Sequence, residues 1–270
     1  MADTDLRQAG IGSLVLLGCG KMGGALLEGW LRGGLEPANI QVIEPNPSDW
    51  LKRRGVALNP ATPGPAAVAV LAVKPQAMAE AAPALRPLAE AGTLFLSIAA
   101  GTPIAFFEGL FGGDAAVVRA MPNTPAAVGR GITALIGNAR AGEAQMRMAE
   151  ALLAAVGETV RLDDEDEMHA VTGLSGSGPA YVFHMIEAMA EAGAAAGLAP
   201  ELAMRLARAT VSGAGALADA SDESAGQLRV NVTSPGGTTA AGLAVLMAEL
   251  PGLMTRTVAA AARRSRELAQ

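Results

Sequence analysis

Short apolar runs alternate with helical patterns as far as Leu162, and beyond that point the strand signal stops. Strands are expected at Leu14–Leu17, Ile40–Glu44, Val68–Val73, Thr93–Ile98, Ala115–Arg119, Thr133–Ile136 and Thr159–Leu162. Helical stretches sit between most of them, among them Met22–Leu31, Gln76–Leu88 and Glu143–Ala155. That alternation is the mark of a parallel sheet wrapped by helices. From Asp163 the chain reads as helix almost to Gln270, broken at Gly173–Gly178, Gly197–Pro200, Asp219–Gly226 and Ser234–Gly237. A boundary near residue 162 follows, with an α/β domain over 1–162 and an all-helical domain over 163–270.

The 270 residues are 51% hydrophobic but only 3% aromatic, so the core must be built from Ala, Val, Leu and Met. The helix opening at Pro179 is apolar on most faces (Val182, Phe183, Met185, Ile186, Met189, Ala190) and needs cover on every side. A helical domain of this size cannot supply that cover alone, so a homodimer through it is expected, with a higher oligomer open. The formal charge of −6, with no basic cluster longer than Lys52-Arg53-Arg54, argues against nucleic acid. Met1 to Gln8 carries acids where a signal peptide has basic residues, and no apolar run approaches membrane-spanning length. The single cysteine excludes an internal disulfide framework. A soluble cytoplasmic protein without a membrane partner is the expectation. The acidic run Asp163–Glu167 reads as a solvated helix start rather than a metal site, and no metal is expected.

Gly18-Cys19-Gly20-Lys21-Met22-Gly23 follows an expected strand and opens an expected helix, the context that a G-x-G-x-x-G loop requires. The first glycine permits the tight turn, the second lets backbone approach a pyrophosphate, and the third lets helix and strand pack. The first domain therefore reads as a Rossmann-like dinucleotide-binding domain. Cys19 reads as a small residue in a tight loop rather than a reactive thiol, and Lys21 as a surface residue near the phosphates. Val73, Lys74 and Pro75 follow one strand, and Ala99, Ala100 and Gly101 another, so both loops should border the cofactor. Glu44, at the end of the second strand, can accept hydrogen bonds from ribose hydroxyls and repels a 2′-phosphate.

Two further segments, Val171–Tyr181 (V-T-G-L-S-G-S-G-P-A-Y) and Asn231–Thr239 (N-V-T-S-P-G-G-T-T), consist largely of glycines and hydroxyl residues. Such segments make no core. They bring backbone N–H groups and hydroxyls close to a small anion. Together they closely resemble the signature segments of the pyrroline-5-carboxylate reductases, and the resemblance covers nearly the whole chain. It implies reduction of the cyclic imine 1-pyrroline-5-carboxylate to L-proline by hydride transfer from NADPH or NADH.

The resemblance also implies roles. Ser234, Gly236, Gly237, Thr238 and Thr239 would hold the substrate carboxylate, since a plain helix cap needs one hydroxyl and this run offers three. Thr172, in the loop with Ser175 beneath the imine, would hydrogen-bond the ring nitrogen. Met121-Pro122-Asn123-Thr124-Pro125 resembles another family segment, where Asn123 faces the nicotinamide or belongs to a proline-rigid turn. His169 and His184 read as structural, because an imine that arrives protonated needs no strong general acid. Many relatives carry Asn-Arg where this chain has Glu44-Pro45, which tips the cofactor reading towards NADH. A His-Pro pair of the family is replaced by Ser224-Ala225, beside Asp222 and Glu223. A hydroxyacid dehydrogenase would use a lysine on the inter-domain helix, yet the lysines are Lys21, Lys52 and Lys74, all in the first domain. A nucleotide-sensing module without turnover would leave the hydroxyl-rich segment at Ser234 without a purpose.

Overall fold

A computed structural model of the chain describes Leu6 and residues 11–269. Apart from Leu6, the acidic segment Met1–Gln8 lies outside the described residues, as does Gln270. Among the described residues eight strands form one sheet: β1 (Leu14–Leu17), β2 (Ile40–Ile43), β3 (Ala57–Leu58), β4 (Val68–Leu71), β5 (Leu94–Ser97), β6 (Val117–Met121), β7 (Gly131–Gly137) and β8 (Gly157–Arg161). Their order is β3-β2-β1-β4-β5-β6-β7-β8. Every neighbouring pair is parallel except β6–β7. The strand order reverses between β1 and β4, and crevices for ligands form at such a switch point, beyond the strands' carboxyl ends. All seven expected strands are present; the two-residue β3 is an addition.

The helices of this part are α1 (Lys21–Arg32), α2 (Asp49–Lys52), α3 (Pro75–Ala81), α4 (Ile104–Phe111), α5 (Glu143–Ala154) and α6 (Glu167–Val171). The single helix expected over Gln76–Leu88 gives way at Ala82 to a tighter 3₁₀ stretch, Ala82–Ala91. Pro83 and Pro87 lack the N–H that a regular helix would use there.

The central strands are buried on both faces, as parallel strands covered by helices must be. Alternation sorts their side chains into two layers. Leu14, Leu16, Val68, Val70, Leu94 and Leu96 pack with Leu26, Leu27 and Trp30 of α1 and Leu152 of α5. Val15, Leu17, Leu71 and Phe95 pack with Met78, Phe107 and Phe111 on the other side. Each such large side chain, fully buried, contributes about 1.5–3 kcal/mol. The Trp30 indole N–H donates to the Leu152 carbonyl at 2.8 Å, so the largest core residue is also satisfied.

The chain divides into two compact units. One runs up to Gly176 and takes back the chain from Ala261; the other spans Ser177–Ala260. The strand signal ends at residue 162, whereas α6 and the turn after it belong with the sheet. Met168 of α6 is fully buried, and a side chain at Gly176 would press on Met121 Cε at 2.7 Å.

The second unit holds α7 (Gly178–Ala195), α8 (Pro200–Asp219), α9 (Ala225–Asn231) and most of α10 (Thr238–Leu268). Gly193 lets α7 approach α8, where a Cβ would lie 3.3 Å from that of Ala203. The hydrophobic residues buried in this unit are Ala190, Ala203 and Ala207. Phe183, Leu206, Leu217, Val245, Leu246, Met247 and Leu253 are all exposed. By length and composition alone α10 could cross a membrane, which departs from the reading that no run reaches that length. Glu249 and Pro251 lie within it.

Candidate active site

The residues expected to hold a dinucleotide line one edge of the sheet. The loop Gly18–Gly23 leaves β1, Glu44 follows β2, Val73-Lys74-Pro75 follows β4, Ala99-Ala100-Gly101 follows β5, and Asn123 follows β6. In the sheet these strands stand side by side, so five loops separated in sequence share the carboxyl edge. Gly18 has φ +90°, and a Cβ there would meet Val73 Cγ1 at 2.8 Å. A Cβ at Gly23 would collide with the Gly18 carbonyl, whereas one at Gly20 would meet nothing within 4 Å. Two glycines therefore make the turn and the helix packing possible, and the third leaves open space in front of the backbone.

That space faces the start of α1, whose N-cap Gly20 offers no side-chain cap and whose first turn carries no acid. Amides at the head of such a helix favour a phosphate group. The donor set fits a dinucleotide: the backbone N–H groups that open α1, no Cβ in the way at Gly20, and Lys21 and Met22 in the first turn. Lys21 is exposed and Met22 half-buried.

Glu44, at the end of β2, reaches across to the glycine loop at the end of the neighbouring β1. Its Oε2 accepts from the Cys19 N–H at 2.8 Å and its Oε1 from the Asn46 N–H at 3.0 Å. The Gly18 N–H bonds the Ile43 carbonyl at 2.8 Å, tying the same loop to β2. Burial, together with the Glu44 charge, pushes the Cys19 thiol up to about 11. Cys19 is thus a neutral thiol at physiological pH, as a small loop residue should be.

At the other end of this edge, Met121–Asn123 meets the turn Thr172–Gly176. This turn is π-helical, continuous with α6, where the glycines had pointed to a break. Single π turns recur at functional sites. The Thr172 hydroxyl donates to the Met168 carbonyl at 2.7 Å and the Ser175 hydroxyl to the Val171 carbonyl at 3.1 Å. Asn123 is buried; its Oδ1 accepts from the Ile132 N–H at 3.0 Å and its Nδ2 donates to the Ser175 carbonyl at 3.2 Å. Both ends of its amide thus have internal partners, and Asn123 joins β7 to the Ser175 turn.

Below this edge lies a polar cluster that the sequence did not announce. Arg119 of β6 is buried and pairs with Glu165 at 2.6 Å. The same Glu165 oxygen accepts from the Ile104 N–H at 2.9 Å, fixing the head of α4 after the Ala99–Gly101 loop. One acid of the run expected to be solvated is therefore a structural partner. His169 is buried with Nδ1 3.0 Å from Ser265 Oγ. Burial first, then the Arg119 and Arg266 cations, hold its pKa below the usual histidine range. His184 is exposed and pairs with Glu187 at 3.1 Å. Each histidine has a partner that accounts for it.

In the helical unit, Ser234-Pro235-Gly236-Gly237 forms a turn closed by a Gly237 N–H to Ser234 carbonyl bond of 3.1 Å, and α10 begins at Thr238. Gly236 has φ +68°, and a side chain at Gly237 would collide with Ser234 Oγ. Ser234, Thr238 and Thr239 are exposed at this helix head. Glu223 accepts from Asn231 Nδ2 at 2.8 Å, which anchors the acidic loop to the start of this segment. Ser224 caps α9 through the Gln227 N–H. Among the described residues no cluster of His, Cys, Asp and Glu could hold a metal ion.

Two family profiles match the chain. One, described as pyrroline-5-carboxylate reductase dimerisation, covers residues 165–268; the other, described as NADP oxidoreductase, coenzyme F420-dependent, covers residues 13–101. The pyrroline-5-carboxylate reductase of Pseudomonas aeruginosa is 40% identical over 264 residues, 95% of this chain and 97% of that protein. The structure of a pyrroline-5-carboxylate reductase from Coxiella burnetii superposes with a TM-score of 0.90 at 35% identity, covering 96% of this chain and 99% of that one. The Plasmodium falciparum pyrroline carboxylate reductase with NADP bound gives 0.80 at 27% identity, covering 97% and 99%. A Rossmann-like cofactor domain for a nicotinamide dinucleotide, followed by a helical dimerisation domain that supports oligomer formation, is thus common to the fold and the comparisons. The chain belongs to the pyrroline-5-carboxylate reductase family.

Proposed function

We propose that the protein reduces 1-pyrroline-5-carboxylate to L-proline, the last step of proline biosynthesis, as an NAD(P)H-dependent oxidoreductase. The observation that carries this reading is the likeness, over nearly the full length of both chains, to a reductase named for that substrate. The residues then divide the work. Gly18, Gly20, Lys21, Met22 and Gly23 receive the pyrophosphate, Glu44 the ribose, and Val73–Pro75 and Ala99–Gly101 flank the dinucleotide. When bound, the reduced nicotinamide supplies the hydride that adds to the imine carbon.

Ser234, Gly236, Gly237, Thr238 and Thr239 take the substrate carboxylate, through exposed amides and hydroxyls at the head of α10. Thr172 has one hydroxyl proton and donates it to the Met168 carbonyl, so only its lone pairs are available to a ligand. It therefore accepts from the N–H of a protonated imine rather than donating to a neutral one. The substrate brings its own proton, and positioning supplies most of the rate. Neither histidine is required as an acid.

Glu44 favours NADH, because a 2′-phosphate would sit against its carboxylate and Pro45 offers neither charge nor donor. The exposed apolar faces of α7, α8 and α10 are covered in a homodimer, which also accounts for the apolar length of α10. The place of action is the cytoplasm. Steady-state assays with NADH and NADPH test the reading. Pyrroline-5-carboxylate should support cofactor oxidation, and small hydroxy or keto acids should not. Equal turnover of a hydroxy acid would refute it.

A further inference from the structure

Among the described residues, Asn59 is the one non-glycine with a positive φ, at 49°. It follows the two-residue strand β3 and lies outside every segment assigned above to the cofactor or the substrate. Both ends of its side-chain amide bond the backbone of one residue. Oδ1 accepts from the Glu44 N–H at 2.8 Å, and Nδ2 donates to the Glu44 carbonyl at 2.9 Å. Its own N–H bonds the Val42 carbonyl at 2.8 Å, continuing the β2–β3 register of Gln41 with Ala57 and Val42 with Leu58. A primary amide offers the donor and acceptor of a peptide group, so Asn59 stands in for the next residue of a strand. The side chain of this exposed residue lies along the Glu44 backbone, and asparagine tolerates the left-handed conformation better than any branched residue.

The consequence falls on Glu44. Pro45 follows it and ends the strand, so without Asn59 the Glu44 N–H and carbonyl would face water at the sheet edge. With Asn59 in place the Glu44 backbone is fixed, and its carboxylate is aimed at the Cys19 and Asn46 amides. We propose that Asn59 is a positioning residue for cofactor specificity: it holds the Glu44 carboxylate against the glycine loop, where that carboxylate meets the 2′ position of the adenosine ribose. This rests on the reading of Glu44 given above.

The test compares native protein, Glu44→Ala, Asn59→Gly and the double variant. Glycine adopts the same φ without strain, so Asn59→Gly removes the amide and keeps the turn; the thermal midpoint checks this. Glu44→Ala should raise the ratio of catalytic efficiencies, NADPH over NADH, by about tenfold or more. Asn59→Gly should raise it in the same direction by roughly three- to tenfold through KM for the cofactor, with kcat and KM for the imine unchanged. The double variant should show no shift beyond that of Glu44→Ala, because the two residues act as one unit. Binding of 2′,5′-ADP against 5′-AMP gives the same comparison without turnover. A ratio unaltered in Asn59→Gly, with Glu44→Ala shifted, overturns the proposal and leaves the Glu44 reading intact. An equal loss for both cofactors also overturns it, by reducing Asn59 to a structural residue. A ratio unaltered in Glu44→Ala removes the Glu44 reading and the proposal together.

Discussion

The two units bury their apolar residues to very different degrees. The sheet unit encloses Trp30, Phe95, Phe107 and aliphatic side chains such as Leu16, Leu26, Val42 and Val70 completely, in two layers, and its charged interior group Arg119 has a partner. The helical unit buries three alanines and leaves Phe183, Leu217, Val245 and Leu253 half or more in water. A monomer rarely keeps apolar surface of that extent exposed. Only the sheet unit is complete in itself. The sheet unit carries its own core, whereas the helical unit, matched by a dimerisation profile, leaves apolar faces that the proposed homodimer would cover.

The largest effect is expected from charging the apolar face of α10. Val245→Glu with Leu253→Glu should convert the oligomer to monomer by sedimentation and lower activity at least a hundredfold. An unchanged assembly would mean that this face is not the interface. On the other side, Glu165→Ala should leave Arg119 buried without its partner and destabilise the sheet unit by about 3 kcal/mol. Calorimetry should then show a midpoint lowered by roughly 6–12 °C, and an unmoved midpoint would refute the pair's structural role. A smaller effect is expected at the carboxylate turn. Thr239→Val removes one charge-assisted hydrogen bond of roughly 1.5–3 kcal/mol, so apparent affinity for the imine should fall by about tenfold or more. Unchanged substrate kinetics would take Thr239 out of the site.

The smallest expected effect concerns His169. Its folded pKa lies below the unfolded value, so between the two the unfolded chain binds more protons and stability rises with pH. The contribution is present above about pH 6.5 and is lost as the pH falls through the lowered folded value. His169→Gln should flatten that acid limb while keeping most of the turnover at neutral pH. A thousandfold loss in a folded variant would reveal a missed acid.

What was legible in the sequence followed from local physics. Leu14–Leu17 and Val68–Leu71 announce themselves because strands buried on both faces are unbroken apolar runs. The glycine loop is legible because its chemistry lies within six residues. By contrast, α4 (Ile104–Phe111) has no polar face to show a helical period, and β3 is too short for any pattern. Glu165 reads as solvated because its partner Arg119 is 46 residues away. The turn at Thr172 reads as a break because glycines signal one, whereas packing against Met121 keeps the helix continuous as a π turn. Asn59 carried a faint signal, an Asn-Pro pair closing a short apolar pair, but its partner Glu44 shows only once β2 and β3 are side by side.

Every residue role proposed above depends on hydride delivery to the imine carbon of pyrroline-5-carboxylate. Reduced nicotinamide deuterated at the transferring position, incubated with the imine and the protein, tests it by NMR of the product. The expected product is L-proline with one deuterium, at Cδ, formed in equal amount to the cofactor oxidised. Proline without the label, or labelled at Cα, would contradict it.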